Sequence, residues 1–386
     1  MLRKVNMGMV GGGRDAFVGN IHRMAARLDG EIELVAGAFS LDPEKAIRSG
    51  QDLFLDPKRV YRDYQTMAER EAELPLGKRI DFVSIVTPNN AHFPIAKQFL
   101  EAGFNVVCDK PMTFDLEEAL ALRDIVNRTN KVFVVTYNYT GYPMVKEARE
   151  LVRRAALGSI LKIVVEYPQG WLLRPIDAEG QKQAVWRTDP KQAGHSACVA
   201  DIGTHAENLA RYITGFTIDE LRADFKTYVA GRRLEDDADL LLRYKEGARG
   251  VLHASQILAG EENDFNIRVY GTKGSLEWHQ ENPGNLIVKY PDAAKQIFRR
   301  GQPHLSEAAV RATRLPPGAP EGFIEGFANI YREAAHAIYA EVNGEVIPQD
   351  LDFPTVEDGV KGMAFVTGAV QSTKEGGSWV RLPLIN

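Results

Sequence analysis

Two short segments carry residues that could do chemistry together: Asp109-Lys110-Pro111 and Asp201-Ile202-Gly203-Thr204-His205. A lysine withdrawn from water exchanges protons more readily than a solvated one, and histidine titrates near neutrality. The pair therefore suits general acid–base work on a hydroxyl group. Pro111 lacks an N–H and biases Lys110 toward extended backbone, which aims one side chain. Asp201 and His205 are four residues apart, a spacing that shares one face of a helix, and Gly203 leaves room for close approach. Each segment also has a purely structural reading. Lys110 could pair with Asp109 or Asp115 on the surface, and Asp201 with His205 could simply open a helix, where a carboxylate suits the dipole.

A third segment adds a phosphate-binding possibility. Val10-Gly11-Gly12-Gly13 follows an apolar run and precedes a helical one. Gly11 and Gly13, flanking Gly12, have the spacing that lets backbone turn tightly and approach a pyrophosphate. The next glycine of the usual fingerprint is displaced: Arg14-Asp15-Ala16-Phe17-Val18 intervenes before Gly19, which implies a longer loop with Gly19 opening or entering the helix.

These segments need elements to position them. Short β-branched runs at residues 5–10, 32–39, 81–86, 105–108 and 132–136 alternate with helical patterns such as 21–28, 95–102 and 116–127. Alternation of this kind predicts a parallel sheet covered by helices on both faces, with ligands beyond the carboxyl ends of the strands. Lys110 directly follows one such end. So does Thr87-Pro88-Asn89-Asn90-Ala91-His92, where Thr87, Asn89 and His92 either meet a nucleotide or serve as cap and helix start. After the second strand an acidic residue would hold ribose hydroxyls, and a small residue with a cation would admit a 2′-phosphate. Here Ser40 is followed by Asp42, Lys45 and Arg48, so NAD and NADP both stay open; Ser40-Leu41-Asp42-Pro43 also reads as a helix cap.

Beyond Tyr137 the pattern changes. A helix at 143–154 leads to strands at 160–167, 221–229, 239–244, 250–258, 266–270 and 275–278, several joined by tight-turn sequences. The expectation is an open, mostly antiparallel sheet in a second domain, 139–386, after a first domain, 1–138. Pro316-Pro317-Gly318-Ala319-Pro320 reads as a linker, followed by an amphipathic stretch at 322–342. Tyr137, Asn138, Tyr139, Trp171, Arg174, Trp186 and Arg187 are candidates for walls of a carbohydrate pocket, though each also has a structural reading. The segment from Trp171 to Trp186 is long enough to serve as a lid.

Composition sets the limits. A chain of 386 residues with 44% hydrophobic and 26% charged residues fits two globular domains. A net charge of −5 gives no ground for a nucleic-acid or membrane partner. The start lacks a signal-peptide pattern, and Cys108 and Cys198 form no metal or disulfide motif, so a reducing cytosol is expected. Cys108 reads as a buried small hydrophobe. His195, Asp201 and His205 match no zinc signature, and no metal is expected.

In their order, the glycine-rich βαβ start, the TPN-x-x-H loop, the acidic-Lys-Pro triplet and the D-x-G-x-H segment resemble the Gfo/Idh/MocA oxidoreductases. The likeness runs over essentially the whole chain. Asp109 stands where that family most often has Glu, and the Gly13–Gly19 loop is longer than usual. The resemblance implies a Rossmann NAD(P)-binding domain joined to an α/β substrate domain that pairs subunits into a dimer or tetramer. It implies hydride exchange between nicotinamide and a hydroxyl or keto carbon of a sugar, sugar derivative or cyclic polyol. It gives Lys110 to substrate and nicotinamide ribose, His205 to the hydroxyl proton, and Asp201 to orienting substrate or His205. Gly11, Gly12, Gly13, Ser40, Lys45, Thr87, Asn89, His92, Asp109 and Lys110 would line the cofactor; Asn138, Trp186, Arg187 and Trp171 the substrate. One alternative uses the same residues, transient oxidation by tightly bound NAD to eliminate or hydrolyse a glycosidic bond; the other, a dinucleotide or sugar sensor without catalysis, would be expected to lose Lys110 or His205, and both are intact.

Overall fold

The computed structural model describes residues 1–383. Its chain forms two compact units: residues 1–137 with 327–360, and residues 138–326 with 361 onward. This differs from the sequence expectation in one respect, since residues 327–360 group with the first unit rather than with the rest of 139–386.

In the first unit five parallel strands, β1 (Val5–Gly11), β2 (Ile32–Ala38), β3 (Phe82–Val86), β4 (Asn105–Cys108) and β5 (Phe133–Val135), lie in the order β2-β1-β3-β4-β5. The order reverses between β1 and β3, the switch point at which doubly wound sheets bind ligands. β3 and β4 are buried throughout, as apolar runs covered on both faces must be. Helices α1 (Phe17–Arg27), α2 (Pro43–Asp52), α3 (Tyr64–Ala72), α4 (His92–Glu101) and α5 (Leu116–Thr129) connect them. Side chains in the sequence start several of these: Asp42 accepts from the N–H of Glu44 and Lys45 with Pro43 in the first turn, and Asp63 accepts from Thr66. Asp115 accepts from the N–H of Glu118, whose carboxylate accepts in return from Phe114. Helix α1 begins earlier than its apolar pattern suggests, so Gly19 lies inside it.

The second unit is built on β6 (Ile160–Pro168), β7 (Ile218–Lys226), β8 (Asp237–Tyr244), β9 (Arg249–Ser255), β10 (Asn266–Gly271), β11 (Ser275–His279), β12 (Asn285–Lys289), β13 (Gln296–Arg299) and β14 (Val380–Arg381). They form one sheet in the order β13-β12-β11-β10-β6-β9-β8-β7-β14, antiparallel except for the β6–β9 pair. Alternate residues such as Val165, Leu240, Leu252, Ile267 and Trp278 point to one face and enter the core with Val145, Leu209 and Phe365. These last come from helices α6 (Pro143–Arg153), α9 (Thr204–Thr214) and α12 (Val356–Lys374); α7 (Lys182–Thr188), α8 (Pro190–Ala193), α10 (Glu307–Arg311) and α11 (Phe323–Val342) complete the helices. β7 stops before the expected 229 because the Asp236 carboxylate takes the N–H groups of Tyr228 and Val229, turning the chain. The proline-rich stretch is no free linker: the buried Arg300 donates to the carbonyls of Leu315, Pro316 and Ala319 and pairs with Glu321 at 2.7 Å.

Candidate active site

The nucleotide cradle assembles at the carboxyl ends of β1, β2 and β3. Gly11 and Gly12 adopt φ of +82° and +69°, a region that only glycine enters without strain. A Cβ on Gly13 would lie 2.7 Å from Ser49 Oγ and 2.8 Å from the Phe39 carbonyl. One on Gly19 would lie 2.3 Å from Gly12 Cα, so Gly19 is the glycine that lets α1 close against the loop. Arg23 Nη1 donates to the Gly12 carbonyl at 2.6 Å and steadies the turn. The Thr87 hydroxyl at the end of β3 is buried with no hydrogen-bond partner among the described residues, an orphan that a ligand would satisfy. A close backbone loop, a helix start and an orphan hydroxyl are the features that suit a dinucleotide.

At the edge of this cradle the sequence candidates already have protein partners. Ser40 Oγ accepts from the Asp42 N–H, Asp42 caps α2, and Lys45 Nζ pairs with Asp15 at 2.7 Å. Arg48 lies beside Glu44 at 3.6 Å. Asn89 and His92 are both buried. The His92 ring nitrogens each sit 2.9 Å from a carbonyl oxygen, those of Thr87 and Pro111, tying the β3 and β4 loops together. Burial is the main cause that holds this imidazole below its usual pKa, against the pull of Asp109.

Lys110 follows β4, and its N–H donates to Asp109 Oδ1 at 2.9 Å. Burial alone would raise the Asp109 carboxyl. The nearby His22, the charge of Lys110 and the Thr136 hydroxyl, which donates at 2.7 Å, reverse this and hold it well below the carboxylate range. Asp109 thus faces inward among protein groups. Cys108 is buried, its thiol pushed well up by that burial, and behaves as a core residue.

A second cluster lies in the other unit. Asp201 falls in a π-helical turn, Val199–Gly203, that runs into α9, so Asp201 and His205 are not spaced along the regular α-helix that the sequence suggests. Such a turn widens the helix where function often sits. Asp201 Oδ2 accepts from Arg187 Nε at 3.2 Å and from Gln256 Nε2 at 2.9 Å. The Arg187 guanidinium lies 4.2 Å over the Trp186 ring and 5.9 Å from that of Trp171, which joins three of the four substrate candidates in one stack. His205, 7% exposed, is held edge-on by Tyr139 at 4.8 Å between centroids. Tyr139 in turn meets Tyr167 through their hydroxyls, and Tyr167 donates to Asn263 at 2.9 Å. The Asn138 amide nitrogen is buried without a partner among the described residues.

Gln256, Tyr167 and Asn263 were not legible as site residues, since each is a common residue at a strand end or loop. The Trp171–Trp186 segment is pinned rather than free: the buried Arg232 holds Asp177 at 2.9 Å, and α7 begins within it. Among the described residues no His/Cys/Asp/Glu group is arranged to hold a metal, and no helix is long and apolar enough to cross a membrane.

A dinucleotide cradle followed by a lysine in the first unit, and an aspartate and a histidine on the π-turn and helix α9 of the second, are the features of an NAD-binding oxidoreductase. Residues 5–137 match the oxidoreductase family with the NAD-binding Rossmann fold, and residues 145–277 match the GFO/IDH/MocA C-terminal domain. The chain is 35% identical over 379 residues to the uncharacterized oxidoreductase YfiI of Bacillus subtilis, covering 96% of this chain and 95% of that one. It is 28% identical to the levoglucosan dehydrogenase of Pseudarthrobacter phenanthrenivorans, over 78% and 79% of the two chains. An inositol dehydrogenase homolog from Azotobacter vinelandii, solved with NADH and myo-inositol, superposes with a TM-score of 0.92 at 37% identity, covering 98% of each chain. The chain belongs to the Gfo/Idh/MocA oxidoreductase family.

Proposed function

We propose that this enzyme oxidises a ring hydroxyl of a cyclic polyol or sugar with NAD, giving a ketone, NADH and a proton. The observation that carries the proposal is that each unit holds a built cluster: the first a glycine cradle with Lys110 after β4, the second His205 with an Asp201 braced by Arg187 and Gln256. Bound nicotinamide supplies the two-electron acceptor. His205 takes the hydroxyl proton; its ring is oriented by Tyr139. Lys110 holds the hydroxyl oxygen as charge develops there. Asp201, fixed by Arg187 and Gln256, orients the substrate or His205, and Asn138 offers its buried amide to a second hydroxyl. Trp186 and Trp171 present faces suited to the apolar side of a ring. Gly11, Gly12, Gly13, Ser40, Thr87, Asn89, His92 and the Asp109–Lys110 backbone hold the cofactor.

NAD is favoured over NADP, because Lys45 is neutralised by Asp15 and Arg48 faces Glu44, leaving little positive charge for a 2′-phosphate. A substrate among small ring polyols and sugars is supported by relatives solved with myo-inositol and with levoglucosan. The sheet face opposite the core carries exposed apolar residues, Leu241 and Tyr270 among charge pairs, and supports a homodimer or homotetramer. Two buried unpaired cysteines accord with a reducing cytoplasm. Titration with NADH and NADPH, then a polyol and sugar screen with NAD at 340 nm, tests the reading. Net NADH formation is expected; nucleotide binding with no net reduction on any member would overturn it.

A further inference from the structure

A chain of buried polar side chains runs behind Lys110, all within the first unit. Asp109 Oδ1 takes both the Lys110 N–H and the Thr136 hydroxyl, and the same oxygen lies 3.7 Å from His22 Nε2. His22, in the middle of α1, is 0% exposed. Its Nδ1 is 2.7 Å from the Tyr331 phenol, and that phenol is 2.9 Å from Ser84 Oγ on β3. The rings of Phe327 and Tyr331 meet the imidazole edge-on, at 4.7 and 5.8 Å, and fix its plane.

With a neutral His22 ring the donors in this chain admit one self-consistent direction. The Tyr331 phenol has a single proton. If it gives that proton to His22 Nδ1, it can still accept from Ser84, and the neutral ring then carries its own proton on Nε2. That N–H faces the Asp109 carboxylate. The opposite tautomer would turn an imidazole lone pair toward a carboxylate, which is repulsive. The outer hydroxyls therefore set the tautomer of the inner histidine, as second partners do for histidines at functional sites. An apolar filling of the same volume would be cheaper to bury, and the chain ends on the residue whose oxygen anchors the Lys110 backbone.

We propose that His22, held in one tautomer by Tyr331 and Ser84, is a positioning residue for Lys110 and acts through the Asp109 carboxylate. The inference rests on the role of Lys110 in the proposed dehydrogenase. It makes three residues far apart in sequence part of the machinery without any of them touching substrate.

The test compares Tyr331→Phe, His22→Leu and His22→Gln with the parent enzyme, using a polyol that the parent oxidises with NAD. Tyr331→Phe keeps the ring and its packing. A glutamine amide nitrogen can replace Nε2 as donor to Asp109, whereas leucine cannot. Tyr331→Phe and His22→Leu are expected to lower kcat about tenfold or more, with KM for polyol and the NADH dissociation constant within about threefold of the parent. His22→Gln should recover most of kcat. Unchanged kcat in folded Tyr331→Phe would overturn the proposal. So would equal kcat in the leucine and glutamine variants, or losses that follow NADH affinity or melting temperature instead, which mark a packing role. Should His22→Leu fail to fold, Tyr331→Phe still decides. Lys110→Ala in the same series separates the two claims: turnover that survives it removes the role of Lys110 itself, and the positioning proposal with it.

Discussion

Replacing Gly19 with alanine adds one methyl group, and the structure says where it goes: 2.3 Å from Gly12 Cα and 2.8 Å from the Gly12 carbonyl oxygen. Both are backbone atoms of the loop that approaches the nucleotide, so no side-chain rotation relieves the clash. Helix and loop must separate by an ångström or more to reach ordinary van der Waals distance. Overpacking of this kind costs about 2–3 kcal/mol. If binding must restore the native loop, nucleotide affinity falls roughly 30- to 150-fold. Alanine also favours the helix by up to about 1 kcal/mol, so the melting temperature should change less than affinity. Fluorescence titration with NADH and a thermal melt read the two effects separately. Gly322→Ala is the control, since its Cβ meets nothing within 4 Å. NADH affinity within twofold of the parent in Gly19→Ala would refute the reasoning that this contact shapes the cradle.

Other consequences are equally direct. Arg300 and Glu321 form a pair that is 6% and 2% exposed; Arg300→Ala strands a buried carboxylate and should cost about 3–5 kcal/mol in urea denaturation, and a loss below 1 kcal/mol would contradict the burial. Asp109 has a folded pKa depressed below its unfolded value near 4, so its stabilising contribution is full above pH ~4 and is lost as pH falls further. The melting temperature of Asp109→Asn should therefore decline less than that of the parent between pH 5 and 3; parallel declines would count against it. Cys108 and Cys198 are buried with thiols pushed well up by that burial, so a thiol reagent should label neither in the native protein and both in urea.

Much of the first unit was legible because its strands are short and apolar, β3, β4 and β5 being buried throughout, and because Gly11 and Gly13 declare a tight turn. The same logic could not reveal that Gly19 closes against Gly12, since that contact joins loop to helix across a displaced spacing. His22 was unreadable for a different reason: one histidine in an amphipathic helix looks like any other, and its partners Ser84 and Tyr331 lie far along the chain. In the second unit Trp186 and Arg187 were visible as candidate walls of a carbohydrate pocket, but the attachment of Arg187 to Asp201 was not. The π-helical turn at Val199–Gly203 also escaped, because a spacing of four reads as ordinary α-helix. Pro316–Pro320 misled because composition marks a flexible stretch, whereas Arg300 supplies it with hydrogen bonds from a distant strand end.

The most direct test of the central claim is the rate of NADH formation from a polyol and NAD in the parent, Lys110→Ala and His205→Ala proteins, each first shown to bind NADH. Proton transfer by a placed side chain contributes about 10²- to 10⁴-fold, so both variants should lose at least a hundredfold in kcat while NADH affinity stays within a few fold. Either variant turning over at a rate close to the parent's would contradict the assignment of these residues to the chemistry.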